Sequence, residues 1–295
     1  LKKLGWKKYL EFHNKVKKIL QKEQYDIILS GDLYSLAAVV ACKHRAKKII
    51  YDCREIYFEL AAHRNKPLHR YWNYWFEKYY LQYVDKIIVT ADTDLHFLQK
   101  KYQKHRRLIW YTIYNYPFQS AIKNLTQLSQ HSPKKIEVSD IVNHTELQNS
   151  LNKNQIKIIY QGVIQKGRGI KKLIDLANYN PRINAIIVGY GEHYHYYKKY
   201  NKEHNGNKNV YFIEPVPYLK LFTITSKCDI GWAMITKRGL SNEFALPNKF
   251  FEYLISGIPV VASELPNIKK IFKEHNVGKI IHEDSSEAIN NIVIE

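Results

Sequence analysis

Ala245-Leu-Pro-Asn-Lys-Phe-Phe-Glu-Tyr-Leu-Ile-Ser-Gly-Ile-Pro-Val-Val-Ala-Ser263 is the stretch on which the fold of this 295-residue chain turns. Pro247 suits the first position of a helix, where a missing N–H costs nothing. Such a helix points its free N–H groups and the positive end of its dipole at the neighbouring strand termini, a site suited to a diphosphate. Glu252 lies more than a turn further on, where a carboxylate can accept hydrogen bonds from ribose hydroxyls. Gly257 closes the helix, and Pro259-Val-Val-Ala262 is a short buried strand. Any α/β protein can contain a helix–glycine–strand unit, so the rest of the chain has to decide what this one is for.

Upstream and downstream of this stretch the chain alternates short apolar runs with longer helical patterns. Strands are predicted at Ile156–Tyr160, Ala185–Val188, Val210–Ile213, Asp229–Trp232, Pro259–Ala262 and Lys279–Ile281. Helical patterns fall at Gly169–Asn178, Glu192–His204, Tyr218–Ser226, Pro247–Ser256 and Ile268–Glu274. The N-terminal half repeats the alternation, with strands at Asp26–Leu29, Lys48–Tyr51, Lys86–Thr90 and Leu108–Tyr111. Its helices are expected at Trp6–Leu20, Leu33–His44, Pro67–Tyr83 and Thr93–Tyr102. The pattern predicts βαβ units and two parallel sheets. A polar stretch rich in Ser, Asn, Gln and Lys separates them. The expected organisation is a partial Rossmann-like domain over 1–118, a connection over 119–154 and a second Rossmann-like domain over 155–295. Two doubly wound domains facing each other leave a cleft at the carboxyl ends of their strands. Both ends of the sequence read as truncated, since it begins at Leu1 inside a helical pattern and stops at Glu295 in another.

Composition narrows the function classes. Hydrophobic content of 45% argues for a folded chain. No apolar run is long enough to cross a bilayer and no signal peptide opens the sequence, so the expected location is cytoplasmic. Cys42, Cys53 and Cys228 share no short spacing, which fits neither a disulfide framework nor a zinc site. The 13 histidines form no ligand pattern, and His193 and His195 are expected to be solvated. A formal net charge of +19 favours acidic partners: nucleic acid, anionic lipid or a diphosphate substrate. The lysines are spread along the chain and no nucleic-acid reader element accompanies them, so nucleic acid is not an expected partner.

At Pro247-Asn-Lys-Phe-Phe-Glu252-Tyr-Leu-Ile-Ser-Gly257-Ile-Pro-Val-Val261 the sequence resembles the donor-site signature of retaining glycosyltransferases of family 4, which have the GT-B fold. The resemblance implies that Glu252 binds the nucleotide ribose and that the helix start at Pro247, Asn248 and Lys249 meets the diphosphate. Tyr160-Gln-Gly162 through Lys166-Gly-Arg168-Gly169-Ile170 resembles the family's glycine-rich turn, with Arg168 and Lys166 as the basic grip on the diphosphate. Ile187-Val-Gly189-Tyr-Gly191-Glu192 resembles its strand–Gly-x-Gly turn, and both glycines also suit a tight turn. Val210-Tyr-Phe-Ile-Glu-Pro-Val216-Pro-Tyr218 is similar to the segment whose backbone meets the base. Ser226-Lys-Cys-Asp229-Ile-Gly231 resembles the entry to the next strand.

One departure stands out. Many members carry a second Glu with seven residues between it and the ribose-binding Glu. Here position 244 is Phe, and Glu243 has eight residues between it and Glu252. In the N-terminal half Ile49-Ile-Tyr-Asp52-Cys-Arg54-Glu55-Ile-Tyr57 resembles a strand end that often reads Asp-x-His-Glu, with Arg54 in place of His. Arg54 and Glu55 are the acceptor-side candidates. Ile88-Val-Thr90-Ala-Asp92 and Ile113-Tyr-Asn115-Tyr-Pro117 resemble later segments of that domain, while its usual first strands and glycine-rich loop have no counterpart.

The implied activity is transfer of a hexose from a nucleoside diphosphate sugar to a hydroxyl of a surface-glycan or lipid-linked saccharide, with retention. Arg168 and Lys166 would stabilise charge on the leaving diphosphate, with Glu243 as the candidate at the sugar. No cofactor is implied and metal independence is expected. A nucleotide-sugar epimerase of the same architecture would need proton-transfer groups that cannot be placed in the sequence. A non-catalytic glycosyltransferase-like subunit would be favoured by the Glu243 shift and the Arg54 substitution. A basic nucleic-acid-binding protein is the third alternative.

Two stretches mix aromatic and basic residues. The first helix carries Trp6, Tyr9, Leu10 and Phe12 among seven lysines between Lys2 and Lys18. Tyr71-Trp-Asn-Tyr-Trp-Phe76 continues to Tyr79 and Tyr80. Packing onto the domain core is the expectation for both. The alternative is an anionic membrane surface as partner, which would place the protein at the inner face of the membrane, or for the second stretch a surface facing the acceptor.

Overall fold

The computed structural model describes residues 5–105, 107–118, 150–151, 154–204, 209–282 and 285–295. The chain forms two units, one of residues up to Tyr114 with Arg238–Ala245, the other of Asn115–Lys237 with Leu246–Glu295. The expected connection over 119–154 lies almost wholly outside the described residues.

In the N-terminal unit the strands β1 (Tyr25–Ser30), β2 (Ala46–Cys53), β3 (Lys86–Val89) and β4 (Ile109–Thr112) form a parallel sheet in sequential order. The helices are α1 (Gly5–Leu20), α2 (Leu33–Ala41), α3 (Pro67–Tyr80) and α4 (Asp92–Lys101). Asp32 starts α2 by accepting a 2.6 Å hydrogen bond from the Ser35 amide, as a capping carboxylate should. All three crossovers run in one direction, so the right-handed rule places α2, α3 and α4 on one face. Ile28, Ile49, Tyr51, Ile87 and Val89 are buried. The alternate residues Ile27, Leu29, Ile109 and Tyr111 remain 44–55% exposed. This unit thus carries the expected parallel α/β sheet, and its described crossovers all wind one way.

The core expectation for α3 holds in part: Tyr74, Phe76 and Tyr80 pack against the core, while Tyr71, Trp72, Trp75 and Tyr79 are exposed and Asn73 and Glu77 are buried. The polar side is the one that finds partners: Asn73 Nδ2 donates to the Tyr57 carbonyl at 3.0 Å. The Glu77 carboxylate accepts from the Tyr51 and Tyr102 hydroxyls at 2.7 and 2.6 Å. Buried polar groups persist only when paired in this way. The paired carboxyl still titrates above its usual range, because burial outweighs the three donors that include the Cys53 thiol.

The second unit has a six-stranded parallel sheet in the order β10-β9-β8-β5-β6-β7. Its strands are β5 (Ile156–Gln161), β6 (Ile183–Val188), β7 (Val210–Ile213), β8 (Ile230–Ala233), β9 (Val260–Ser263) and β10 (Gly278–Ile281). Between them run α5 (Ile170–Tyr179), α6 (Tyr194–Glu203), α7 (Tyr218–Thr225), α9 (Asn248–Ile255) and α10 (Pro266–Glu274), with α11 (Ser286–Ile294) last. The short α8 (Leu240–Glu243) belongs to the excursion that joins the N-terminal unit. The chain winds outward from β5 through β6 to β7, then returns to β8 on the other side. The order reverses between β5 and β8, which is where such sheets bind ligands. Ile158, Ile187, Trp232 and Val261 pack with Leu173 and Ile174 in one core.

The expected single block over 155–295 is interrupted by the 238–245 excursion. Leu240 and Phe244 pack against the N-terminal core. The Phe244 ring meets Phe97 edge-on at 5.8 Å. Ser241 Oγ donates to Glu55 Oε2 at 2.6 Å.

Candidate functional site

The carboxyl ends of β5 and β8 and the start of α9 bring most donor-side candidates into one place within the second unit. The turn after β5 is tied by two bonds to β8 and its exit and by one to the turn after β6. The Thr236 amide donates to the Gly167 carbonyl at 2.8 Å, and Trp232 Nε1 donates to the Gly169 carbonyl at 3.1 Å. Beyond the β6 end, the Ile164 amide donates to the Tyr190 carbonyl at 3.1 Å. Gly189 and Gly191 make this closeness possible. A Cβ on Gly189, which has φ +139°, would stand 2.1 Å from the Gly162 carbonyl oxygen, and one on Gly191 would stand 2.4 Å from that of Ile164. Their bare backbone lets the two turns pack this closely.

α9 starts one residue later than expected. Pro247 is its extended N-cap (φ −72°, ψ 142°) and Asn248 its first helical residue. Proline has no side-chain acceptor to close the helix start, which leaves the first amides to other partners. At the far end the amides of Gly257 and Ile258 donate to the carbonyls of Leu254 and Tyr253, the paired pattern of a glycine-closed helix.

Glu252 is 8% exposed and held by neighbours. Gln161 Nε2 donates to its Oε2 at 2.6 Å. Thr225 Oγ1 donates to Gln161 Oε1 at 2.7 Å, and the Gln161 amide donates to the Tyr253 hydroxyl at 3.1 Å. Since a carboxylate only accepts, the Gln161 NH2 must face Glu252, and the amide oxygen is then left for Thr225. The Tyr218 hydroxyl donates to Glu252 as well, and burial, the Glu252 charge and that bond together push its pKa up to about 12.

Lys249 projects from the first turn of α9 back over β5. Its Nζ lies 3.6 Å from the centroid of the Tyr160 ring, a cation–π contact. A Cβ on Gly162 would be 3.5 Å from that Nζ. Burial, and then the Arg168 guanidinium, hold the Lys249 ammonium well below its ordinary pKa, with Glu252 pulling the other way. Arg168 is half-buried and close enough to lower the Tyr160 pKa against the effect of burial. Two basic side chains beside a helix start form a place where an added anion is favoured.

The remaining candidates are more dispersed. Lys166 is exposed, with Nζ 5.9 Å from the Tyr196 ring centroid. Val216 is half-buried on the loop before α7, and Asn248 is exposed. Glu243 sits on α8, which belongs to the N-terminal unit. Arg54 Nε is bound to Asp52 Oδ2 at 2.7 Å and Glu55 to Ser241. His193 is not solvated as expected: its Nδ1 is buried and its ring packs on Tyr196 and Tyr197. Gln161 and Thr225 were not singled out in the sequence. A glutamine at the end of an otherwise apolar strand was the available signal for the first; nothing marked the second. No cluster of metal-ligating side chains occurs among the described residues.

A family model described as glycosyl transferases group 1 matches residues 144–295, just over half of the chain. The chain belongs to this family. A second model, glycosyltransferase family 4, matches residues 1–115. The protein is therefore a glycosyltransferase, and solved structures agree on its GT-B fold. Sucrose-phosphate synthase from Thermosynechococcus elongatus superposes with a TM-score of 0.68 at 15% identity, covering 97% of this chain and 68% of that one. Alr3699/HepE from Anabaena, in complex with UDP and glucose, gives 0.62 at 17%, covering 94% and 70%. WaaG, a glycosyltransferase involved in lipopolysaccharide biosynthesis, gives 0.60 at 14%, covering 88% and 72%. No curated protein matches the chain in sequence. No helix among the described residues is long and apolar enough to cross a membrane.

Proposed function

We propose that this glycosyltransferase moves a hexose from a nucleoside diphosphate sugar to a hydroxyl of a surface-glycan or lipid-linked saccharide, with retention of configuration. The observation that carries this reading is the Glu252 carboxylate, oriented by Gln161 and Tyr218 beside the Lys249–Arg168 pair. The carboxylate accepts from the ribose hydroxyls. Lys249, Arg168 and the first amides of α9 take the diphosphate, and Lys166 closes over its outer oxygens. As the sugar–oxygen bond breaks, negative charge grows on the diphosphate, and these cations stabilise it more than the ground state. The leaving oxygen accepts the acceptor's proton while the new bond forms on the same face. The cations are the protein's own, so the reaction runs without a metal ion or cofactor. Arg54 and Glu55 serve the acceptor and Glu243 the sugar.

Bound UDP in the Anabaena relative supports uridine as the first base to test. The positive charge supports work in the cytoplasm, peripheral to an anionic membrane. Thermal shifts with UDP, GDP and their sugars, read on the intact chain and on Glu252→Ala, test the reading. One nucleotide series should stabilise the wild type and lose most of its effect in the variant. Absence of any shift in the wild type refutes the donor site.

A further inference from the structure

We propose that the outer face of α3 is a docking surface for an anionic lipid bilayer. Leu68, Tyr71, Trp72, Trp75 and Tyr79 recur at helical spacing and form one stripe. They are 46–81% exposed, whereas Asn73 and Glu77 on the opposite side are buried. The helix thus turns Asn73 and Glu77, with Tyr74, Phe76 and Tyr80, toward the core and leaves a second aromatic stripe on the outside. The inward polar groups are fully engaged, with Asn73 on the Tyr57 carbonyl and Glu77 on two tyrosine hydroxyls. The orientation is therefore fixed by specific bonds. A stripe of this size on an exposed helix marks an interaction site.

Charge chooses the partner. Glu77 is the sole acidic residue of α3, and it is buried, so the outer face carries no negative charge. Lys78 Nζ lies 4.4 Å from the Trp75 ring centroid, and Lys43 Nζ lies 4.5 Å from that of Tyr83 next to the helix end. α1 belongs to the same helical layer, with Tyr9 near Tyr80. It exposes Trp6 and Leu10 together with Lys7, Lys8, Lys15 and Lys18. Tryptophan and tyrosine flanked by lysine suit the headgroup level of a membrane, where rings are half wetted and anionic lipid attracts the cations. A second copy on this face would set lysines against lysines, which like-charge repulsion disfavours.

The proposal is independent of the donor-site reading. The test is co-sedimentation of the full chain with vesicles of phosphatidylglycerol and phosphatidylcholine in equal parts, against phosphatidylcholine alone. Binding should require the anionic lipid and weaken at high salt, and Trp72→Ala/Trp75→Ala should reduce partitioning by about tenfold. The double variant should unfold as cooperatively as the wild type in a thermal melt, which shows that it folds whether or not a nucleotide binds. Quenching of wild-type tryptophan fluorescence by brominated lipid gives a reading that needs no variant. Failure to bind anionic vesicles, or equal binding by the variant, overturns the proposal. So does a dimer in sedimentation that the double variant turns into a monomer.

Discussion

Gln161 is fixed at both ends of its amide, and this makes its role separable from that of Glu252. Thr225 holds the oxygen, so the NH2 stays turned to the carboxylate. Thr225→Val keeps the shape of the side chain and removes the hydroxyl. The amide then loses its anchor and Glu252 loses its orientation. Leaving one buried partner unmade costs about 1–3 kcal/mol, or roughly fivefold to 150-fold in affinity. UDP binding measured by calorimetry should weaken within that range. A nucleotide lacking both ribose hydroxyls should bind the variant and the wild type alike, an equality that a general loss of structure would not leave. Gln161 itself was visible in the sequence as a polar residue ending an apolar run. Its function was not visible, because its partners stand 64 and 91 residues away.

Among the elements, α4 shows how burial can override local preference. Asp94 sits in its first turn, where the helix dipole ordinarily favours a carboxylate. It is 8% exposed, and desolvation raises its pKa to about 7, with the Glu55 charge adding to the rise and Thr90 opposing it. The folded-state pKa therefore lies above the ordinary 3.8. The folded chain holds the extra proton, so this contribution to stability is complete below about pH 3.8 and is lost as pH rises through about 7. Thermal unfolding of Asp94→Asn across this window should show a flatter pH dependence than the wild type, with the variant the more stable at pH above about 7 by on the order of 1–3 kcal/mol. A steeper slope in the variant would contradict the assignment. Element positions were largely legible, because buried parallel strands read as short apolar runs. Val210–Ile213 was placed to the residue. The facing of α3 was not legible: periodicity reveals a stripe, but which side is inward depends on Tyr51, Tyr57 and Tyr102, all outside the helix.

For the molecule as a whole, the repeat of strand and helix patterns was enough to give two parallel-sheet domains, and the ordered motifs of the second half were enough to give the family. What the linear pattern hid is the route of the chain between β8 and α9. The Arg238–Ala245 excursion belongs to the N-terminal unit through Phe97 and Glu55, contacts that span the sequence and leave no local mark. This also bears on the missing Glu at position 244, since Phe244 there is a packing residue of the N-terminal core. The most direct measurement is a crystal structure of the protein with UDP bound. The ribose hydroxyls should lie on Glu252 and the diphosphate against Lys249, Arg168 and the first amides of α9. UDP bound elsewhere, or held with Glu252 and Lys249 untouched, would contradict the donor site.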